Sequence, residues 1–179
     1  MIRALDIFLA LIFFVFLTPI FIISLLLSWI DTGSPLFFQM RLGKNCSRFL
    51  IVKFRTMNLN TRSKETHLIN YNSMTFFGIF LRNYKLDELP QLWNVLLGDM
   101  SLVGPRPCLL NSKTLIRERK KRNVFKVKPG ITGLAQISGI NMKTPTLLAK
   151  TDLKMIKKFN ILYYFYYILV TFVIVLKKK

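Results

Sequence analysis

Apolar and polar positions fall into blocks along this chain. Ile7 to Ile30 carries no charged residue and reads IFLALIFFVFLTPIFIISLLLSWI. A helix needs roughly 20 apolar residues to cross a hydrocarbon layer, and this block is longer. Thr18-Pro19 lies at its midpoint. Proline lacks a backbone donor and disfavours helix in the residue before it, which predicts a break there. A hydroxyl such as Thr18 or Ser24 can satisfy a carbonyl freed in hydrocarbon. Two arrangements fit: a kinked span, or a re-entrant helix-break-helix that enters and leaves by one face. A cleaved signal peptide fits poorly, because Asp6 interrupts a basic start and no A-x-A site follows. The second apolar block, Ile161 to Leu176, is short for a span. Tyr163, Tyr164, Tyr166 and Tyr167 near its start and Lys177 to Lys179 at its end suit an interfacial helix. A buried core helix fits the same residues.

Residues 31 to 160 form the polar part between these blocks. Asp31 to Pro35 is a turn. Leu50, Val52 and Phe54 alternate with Ile51, Lys53 and Arg55, which predicts a short strand with a basic face. That face is either a solvated edge or part of a site. Residues 60 to 74, with His67 among them, read as a polar loop. Leu86, Leu89, Leu92, Trp93, Leu96 and Leu97 recur at helical spacing. Asp87 suits the N-cap of that helix, Pro90 its first turn and Gly98 its end. Asp99 to Pro107 resists regular structure. Pro105 and Pro107 restrict the backbone around Arg106, and a rigidly held guanidinium suits phosphate. Pro129 to Gly133 is a further turn, and Leu134 to Ile137 is apolar.

Composition sharpens this outline. At 179 residues the chain is one domain's length. It has 27 Lys plus Arg against 8 Asp plus Glu, a net charge of +19, yet 52% of its residues are apolar. Such hydrophobicity excludes a disordered basic tail. The charge suits anionic lipid, phosphorylated substrates or nucleic acid, and no nucleic-acid motif accompanies it. Arg3 alone among the bases precedes the first apolar block, which predicts a cytoplasmic bulk. Arg117 to Lys128 holds seven of the bases. Those bases form either a solvated helix face or a contact with anionic headgroups. Cys46 and Cys108 make no disulfide framework and fit a reducing compartment. His67 is the only histidine. A catalytic triad would have to use it, and a zinc site is equally poorly supplied.

Acids are scarce enough to inspect singly. Asp87 and Glu88 are adjacent at a predicted helix start. A helix N-terminus and nearby bases both favour the ionised carboxylate and predict a lowered pKa. Ionised, such a group can attack as a nucleophile or bind Mg²⁺. A plain helix cap is the competing reading.

Leu81 to Pro107 reads LRNYKLDELPQLWNVLLGDMSLVGPRP and resembles the signature of bacterial sugar transferases, the small monotopic phosphoglycosyl transferases. Lys53 to Met57 (KFRTM), Gln39 to Gly43 (QMRLG) and Val127 to Gln136 (VKPGITGLAQ) are similar to further family segments. The Thr18-Pro19 pair resembles the break of the family's re-entrant helix. The resemblance covers nearly the whole chain.

It implies a mainly α fold with a small β element, as a monotopic membrane protein with interfacial amphipathic helices. Residues 1–30 would be the re-entrant helix. Residues 31–160 would be a catalytic domain at the membrane surface, and 161–179 an interfacial C-terminal helix. It implies transfer of a sugar-1-phosphate from a UDP-sugar to polyprenyl (undecaprenyl) phosphate, with release of UMP. This would be the first membrane step of a surface glycan pathway, on the cytoplasmic face of the bacterial inner membrane. By this resemblance Asp87 is the nucleophile and forms an aspartyl phospho-sugar. Glu88, with Asp87, would hold Mg²⁺. Arg106, Arg82, Lys53 and Arg55 would bind substrate phosphate, Pro105 and Pro107 would flank that site, and Asp152 and Gln136 would support it. Partners would be the UDP-sugar, polyprenyl phosphate, anionic lipids and downstream glycosyltransferases, with no nucleic acid. Ile140 and Phe165 depart from the Arg and Asp of many members, and Lys154 and Met155 replace tyrosines. These departures keep a second reading open: a degenerate relative that binds lipid phosphate or scaffolds glycan assembly.

Overall fold

The computed structural model describes residues 2–59 and 73–177. His67 and most of the loop expected over 60 to 74 lie outside the described residues. In chain order the elements are α1 (Ile2–Thr32), β1 (Leu36–Leu42), β2 (Arg48–Phe54), α2 (Phe76–Asn83), α3 (Gln91–Leu97), β3 (Ser101–Val103) and β4 (Cys108–Leu109). There follow α4 (Lys113–Lys121), β5 (Gly130–Thr132), α5 (Leu134–Ile137), α6 (Pro145–Lys157) and α7 (Ile161–Lys177). The mainly helical expectation with a small sheet is borne out.

α1 has 31 residues and is about 46 Å long. The expected interruption at Thr18-Pro19 is not an end of the helix, which continues through Pro19. Proline removes a single donor there, and the Thr18 hydroxyl donates to the Phe14 carbonyl at 2.6 Å. In apolar surroundings any longer gap would leave several carbonyls without partners. The outward face of α1 inverts the soluble pattern. Asp6, Ala10, Ser24 and Ser28 are its buried residues, while Phe8, Val15, Phe16, Trp29 and Ile30 are exposed. Small and polar side chains meet the protein, and large apolar ones meet the outside. That outside must itself be apolar to be tolerated.

β1 and β2 form an antiparallel hairpin, with Leu36 opposite Phe54 and Leu42 opposite Arg48. β4 pairs with the other edge of β1. Phe49 and Ile51 on β2 are buried, and Lys53 follows them on the same face. The basic face is therefore no solvated edge. The free edge of β2 is closed by Asn94 of α3. Its Nδ2 donates to the Leu50 carbonyl at 2.8 Å, and its Oδ1 accepts from the Val52 N–H at 3.1 Å. β3 and β5 pair in parallel as a separate two-stranded sheet.

The core gathers Phe49, Ile51, Val95, Leu102, Met155 and Tyr164. α7 packs against the core along one side only. It buries Tyr164 and Tyr167 in the core while Leu162, Leu169 and Leu176 face outward. Asp6 ties three elements together. Its Oδ1 accepts from the Ser101 hydroxyl (2.9 Å) and the Leu102 N–H (3.0 Å) of β3, and from the Tyr164 hydroxyl (2.9 Å) of α7.

Two local expectations need correction. The helix predicted from Leu86 begins later, at Gln91, so Asp87 is not its cap. Lys85 takes a left-handed φ of 54°, and Leu86–Glu88 forms one tight 3-10 turn. Pro90 then starts α3, because its ring excludes a continuous helix from that turn. The basic run from Arg117 is also not one exposed face. Arg119 is only 2% exposed, and Arg122 pairs with Glu118 at 2.6 Å.

Candidate active site

The 3-10 turn places Asp87 and Glu88 together, beside β2 and the loop between β3 and β4. Lys53 of β2 reaches Glu88 Oε1 at 2.8 Å, and Arg106 Nη2 reaches the same oxygen at 2.6 Å. Burial opposes ionisation of Glu88, but Arg106 and Lys53 outweigh it and hold its carboxyl well below the usual range. Asp87 behaves oppositely. Burial pushes its pKa up to about 6, and the Glu88 charge adds to that, against Lys53, Arg82 and Arg106. The lowered pKa expected for Asp87 is thus reversed: the turn buries the carboxyl more strongly than the bases compensate. The outcome is one firmly ionised acid beside one poised acid.

The candidate cations separate. Lys53, Arg82 and Arg106 surround the pair, and Arg82 also donates to the Thr56 hydroxyl at 2.8 Å. Arg55 stands elsewhere. It donates to the Ser34 carbonyl at 2.9 Å and the Leu36 carbonyl at 3.2 Å, and lies over the Phe37 ring. It pins the end of β2 to the turn after α1.

Pro105 and Pro107 alone do not hold Arg106. Arg41 of β1 donates to the Pro107 carbonyl at 3.3 Å, and Arg119 of α4 donates to the Arg106 carbonyl at 2.8 Å. Asp152 of α6 in turn accepts from Arg119 Nε at 2.9 Å. Asp152 therefore supports the loop through Arg119. Gln136 supports it from the other side, reaching the Gly104 carbonyl at 3.3 Å. The Gly104 and Gly130 backbones touch. A Cβ on Gly130 would lie 2.0 Å from the Gly104 nitrogen, so two distant sequence segments meet where only glycine fits.

Spacing did not single out Gln91. It is 2% exposed, and its Nε2 has no hydrogen-bond partner among the described residues. It lines a narrow crevice with Lys53, Glu88 and Arg106. Nor did spacing indicate that Arg41 and Arg119 brace the loop; Arg41 lies within the family-like segment Gln39 to Gly43, and Arg119 lies in none.

An apolar cavity of about 440 Å³ also reaches Glu88. Leu17 and Ile20 of α1, Phe80 of α2, and Ile168 and Phe172 of α7 contribute walls. Thr18 and Pro19 are not among its lining residues, although both their neighbours are. The departures lie outside this cluster. Ile140 packs on the second apolar cluster around Leu115 and Leu148, Met155 is core, Lys154 is exposed, and Phe165 is partly exposed on α7.

Among the described residues no three His, Cys, Asp or Glu side chains cluster to hold a metal. The Asp87-Glu88 pair suits a cation that takes one or two carboxylates and completes its shell from substrate phosphates and water. One oxygen of Glu88 is already shared by Lys53 and Arg106, which leaves its other oxygen and Asp87 as donors.

The site thus combines a carboxylate pair ringed by cations with an apolar cavity that Glu88 and α1 both line. The chain belongs to the bacterial sugar transferase family, whose profile matches residues 1–178. It is 49% identical over 110 residues to an uncharacterized sugar transferase, EpsL, of Bacillus subtilis, covering 61% of this chain and 54% of EpsL. It is 37% identical over 153 residues to the exopolysaccharide production protein PSS of Rhizobium leguminosarum, covering 79% and 76%. It is 39% identical over 150 residues to a UDP-glucose:undecaprenyl-phosphate glucose-1-phosphate transferase of Escherichia coli, covering 81% of this chain and 32% of that protein. The chain thus spans about half of EpsL and about a third of the E. coli enzyme.

Proposed function

We propose that this protein transfers a sugar-1-phosphate from a UDP-sugar to polyprenyl phosphate and releases UMP. One observation carries the reading: Glu88 lines the apolar cavity, while it and its neighbour Asp87 are ringed by Lys53, Arg82 and Arg106. Cations and carboxylates suit a diphosphate donor, and the cavity suits an isoprenoid chain. The substrates in the E. coli relative's name agree with both.

The chemistry divides into two displacements. An Asp87 oxygen attacks the sugar-bearing phosphorus of the donor. The P–O bond to UMP breaks, and an aspartyl phospho-sugar remains. A polyprenyl phosphate oxygen then attacks the same phosphorus. The P–O bond to Asp87 breaks, and the carboxylate is regenerated. Arg106, Arg82 and Lys53 hold phosphate oxygens and offset charge as UMP leaves. Gln91 donates its free N–H into the crevice. Mg²⁺ held by Glu88 and Asp87 would supply further charge neutralisation on the diphosphate. Two steps at one site let a soluble donor and a lipid acceptor react in turn.

The same reading places α1 in the cytoplasmic leaflet of the inner membrane as a re-entrant helix that bends at Pro19 without ending there, with α7 at the interface. The product would feed downstream glycosyltransferases of a surface glycan. UMP release from a panel of UDP-sugars, with polyprenyl phosphate and Mg²⁺ in nanodiscs, tests the reaction. Release should require lipid, metal and Asp87. Turnover by Asp87→Asn would defeat the nucleophile assignment. Labelling of both chain ends from one membrane side tests the topology.

A further inference from the structure

A second pocket, of about 320 Å³, shares no lining residue with the crevice at Glu88 or with the apolar cavity. Arg3, Lys44, Lys126 and Lys128 line it, together with Gly104 and Pro105. We propose that this pocket binds a phosphate group, and that its occupant is the phosphodiester of an acidic phospholipid headgroup.

Charge balance supports an anion there. The carboxylate lining the pocket belongs to Asp6, which is 2% exposed and whose Oδ1 already accepts three hydrogen bonds. Arg3 is anchored by the Val95 and Leu96 carbonyls at the end of α3. Lys128 makes no hydrogen bond or ion pair among the described residues, yet its Nζ converges with Arg3 Nη2. A Cβ on Gly98 would lie 3.4 Å from the one and 3.3 Å from the other. Burial, with Arg3 and Lys44 behind it, presses the Lys128 ammonium below its ordinary range, against Asp6 and Asp99. A bound anion relieves this crowding of like charge.

Position selects the headgroup. Arg3 and Asp6 stand immediately before the uncharged block Ile7 to Ile30, and Phe8, two residues beyond Asp6, is 61% exposed. The pocket therefore lies at the polar end of the apolar helix. Basic pockets at that depth meet lipid phosphates. This inference rests on α1 being membrane-embedded, as proposed above.

The experiment compares thermal unfolding in phosphatidylcholine nanodiscs with and without phosphatidylglycerol. Phosphatidylglycerol should raise the wild-type Tm by roughly 5 °C. The variant Lys44→Gln/Lys126→Gln/Lys128→Gln should lose most of that gain. A control of equal charge, Lys143→Gln/Lys150→Gln/Lys154→Gln, should keep it. Equal loss in both variants would mean diffuse attraction to the whole basic surface and would overturn the site. Inorganic phosphate added to neutral nanodiscs separates the sources. A gain from phosphate with none from phosphatidylglycerol would overturn the headgroup assignment and leave a soluble phosphate. Failure to enter neutral nanodiscs at all would count against the membrane reading rather than the pocket.

Discussion

Arg119 and Asp152 form a buried ion pair behind the loop that carries Arg106. Arg119 Nε donates to Asp152 Oδ2 at 2.9 Å, and the two side chains are 2% and 1% exposed. Arg119 Nη1 then donates to the Arg106 carbonyl. The pair converts a connection between α4 and α6 into a fixed position for the Arg106 guanidinium, which in turn holds Glu88.

Breaking that pair should be severe. Asp152→Ala leaves a guanidinium buried without its counter-charge, which costs about 3–5 kcal/mol. The expected fall in Tm is roughly 10 °C. Replacing both partners, as Arg119→Met/Asp152→Leu, should recover part of the stability but not the activity, since the Arg106 carbonyl still lacks its donor. Thermal unfolding of the single and double variants, alongside UMP release, measures both effects.

The pH profile should report Asp87. Its pKa is raised from 3.8 to about 6, and only the ionised form can attack phosphorus. Activity is therefore present above that value and lost as pH falls through it. Mg²⁺ favours the ionised form, so the acidic limb of kcat/KM should lie at or below about pH 6. Lys53→Met removes a cation that lowers this pKa and should move the limb upward. A limb that ignores Lys53 would detach it from Asp87.

Two glycines should respond differently to alanine. Gly130→Ala puts a Cβ 2.0 Å from the Gly104 nitrogen, and backbone must move. A loss of about 3 kcal/mol or more and a displaced Arg106 loop are expected. Gly139→Ala meets no atom within 4 Å and suffers only its φ of +68°. It should cost about 1 kcal/mol and leave turnover intact. Urea titration with parallel assays separates packing from conformational strain.

Gln91→Leu should keep the fold, because its Nε2 has no partner to lose. If that N–H meets a donor phosphate oxygen, KM for the UDP-sugar should rise roughly tenfold. An unchanged KM would reduce Gln91 to a packing residue.

Much of the molecule was legible in the chain. The uncharged block Ile7 to Ile30 and the mixed helix at Ile161 to Leu176 follow from hydropathy. The family resemblance points to Asp87, Glu88, Lys53, Arg82 and Arg106, and all but Lys53 share the continuous segment Leu81 to Pro107. Strand period groups Arg55 with Lys53, yet its guanidinium folds onto the Ser34 and Leu36 carbonyls across the hairpin. Arg119 sits within a basic run whose charge density hides the side chain that turns inward. Asp6 reads in the sequence only as a charge ahead of an apolar block, whereas in the fold it joins α1, β3 and α7.

The sequence by itself determined which segments seek apolar surroundings, because hydropathy is a local property, and its family-like segments marked which residues to examine as a site. Tertiary structure alone decided the pKa order of Asp87 and Glu88, the buried brace from Asp152 to Arg106, and the contact of Gly104 with Gly130. Those depend on charges and backbones that are distant along the chain and adjacent only after folding. Coulomb energy, burial and steric fit act over ångströms in space, and residue spacing does not encode them.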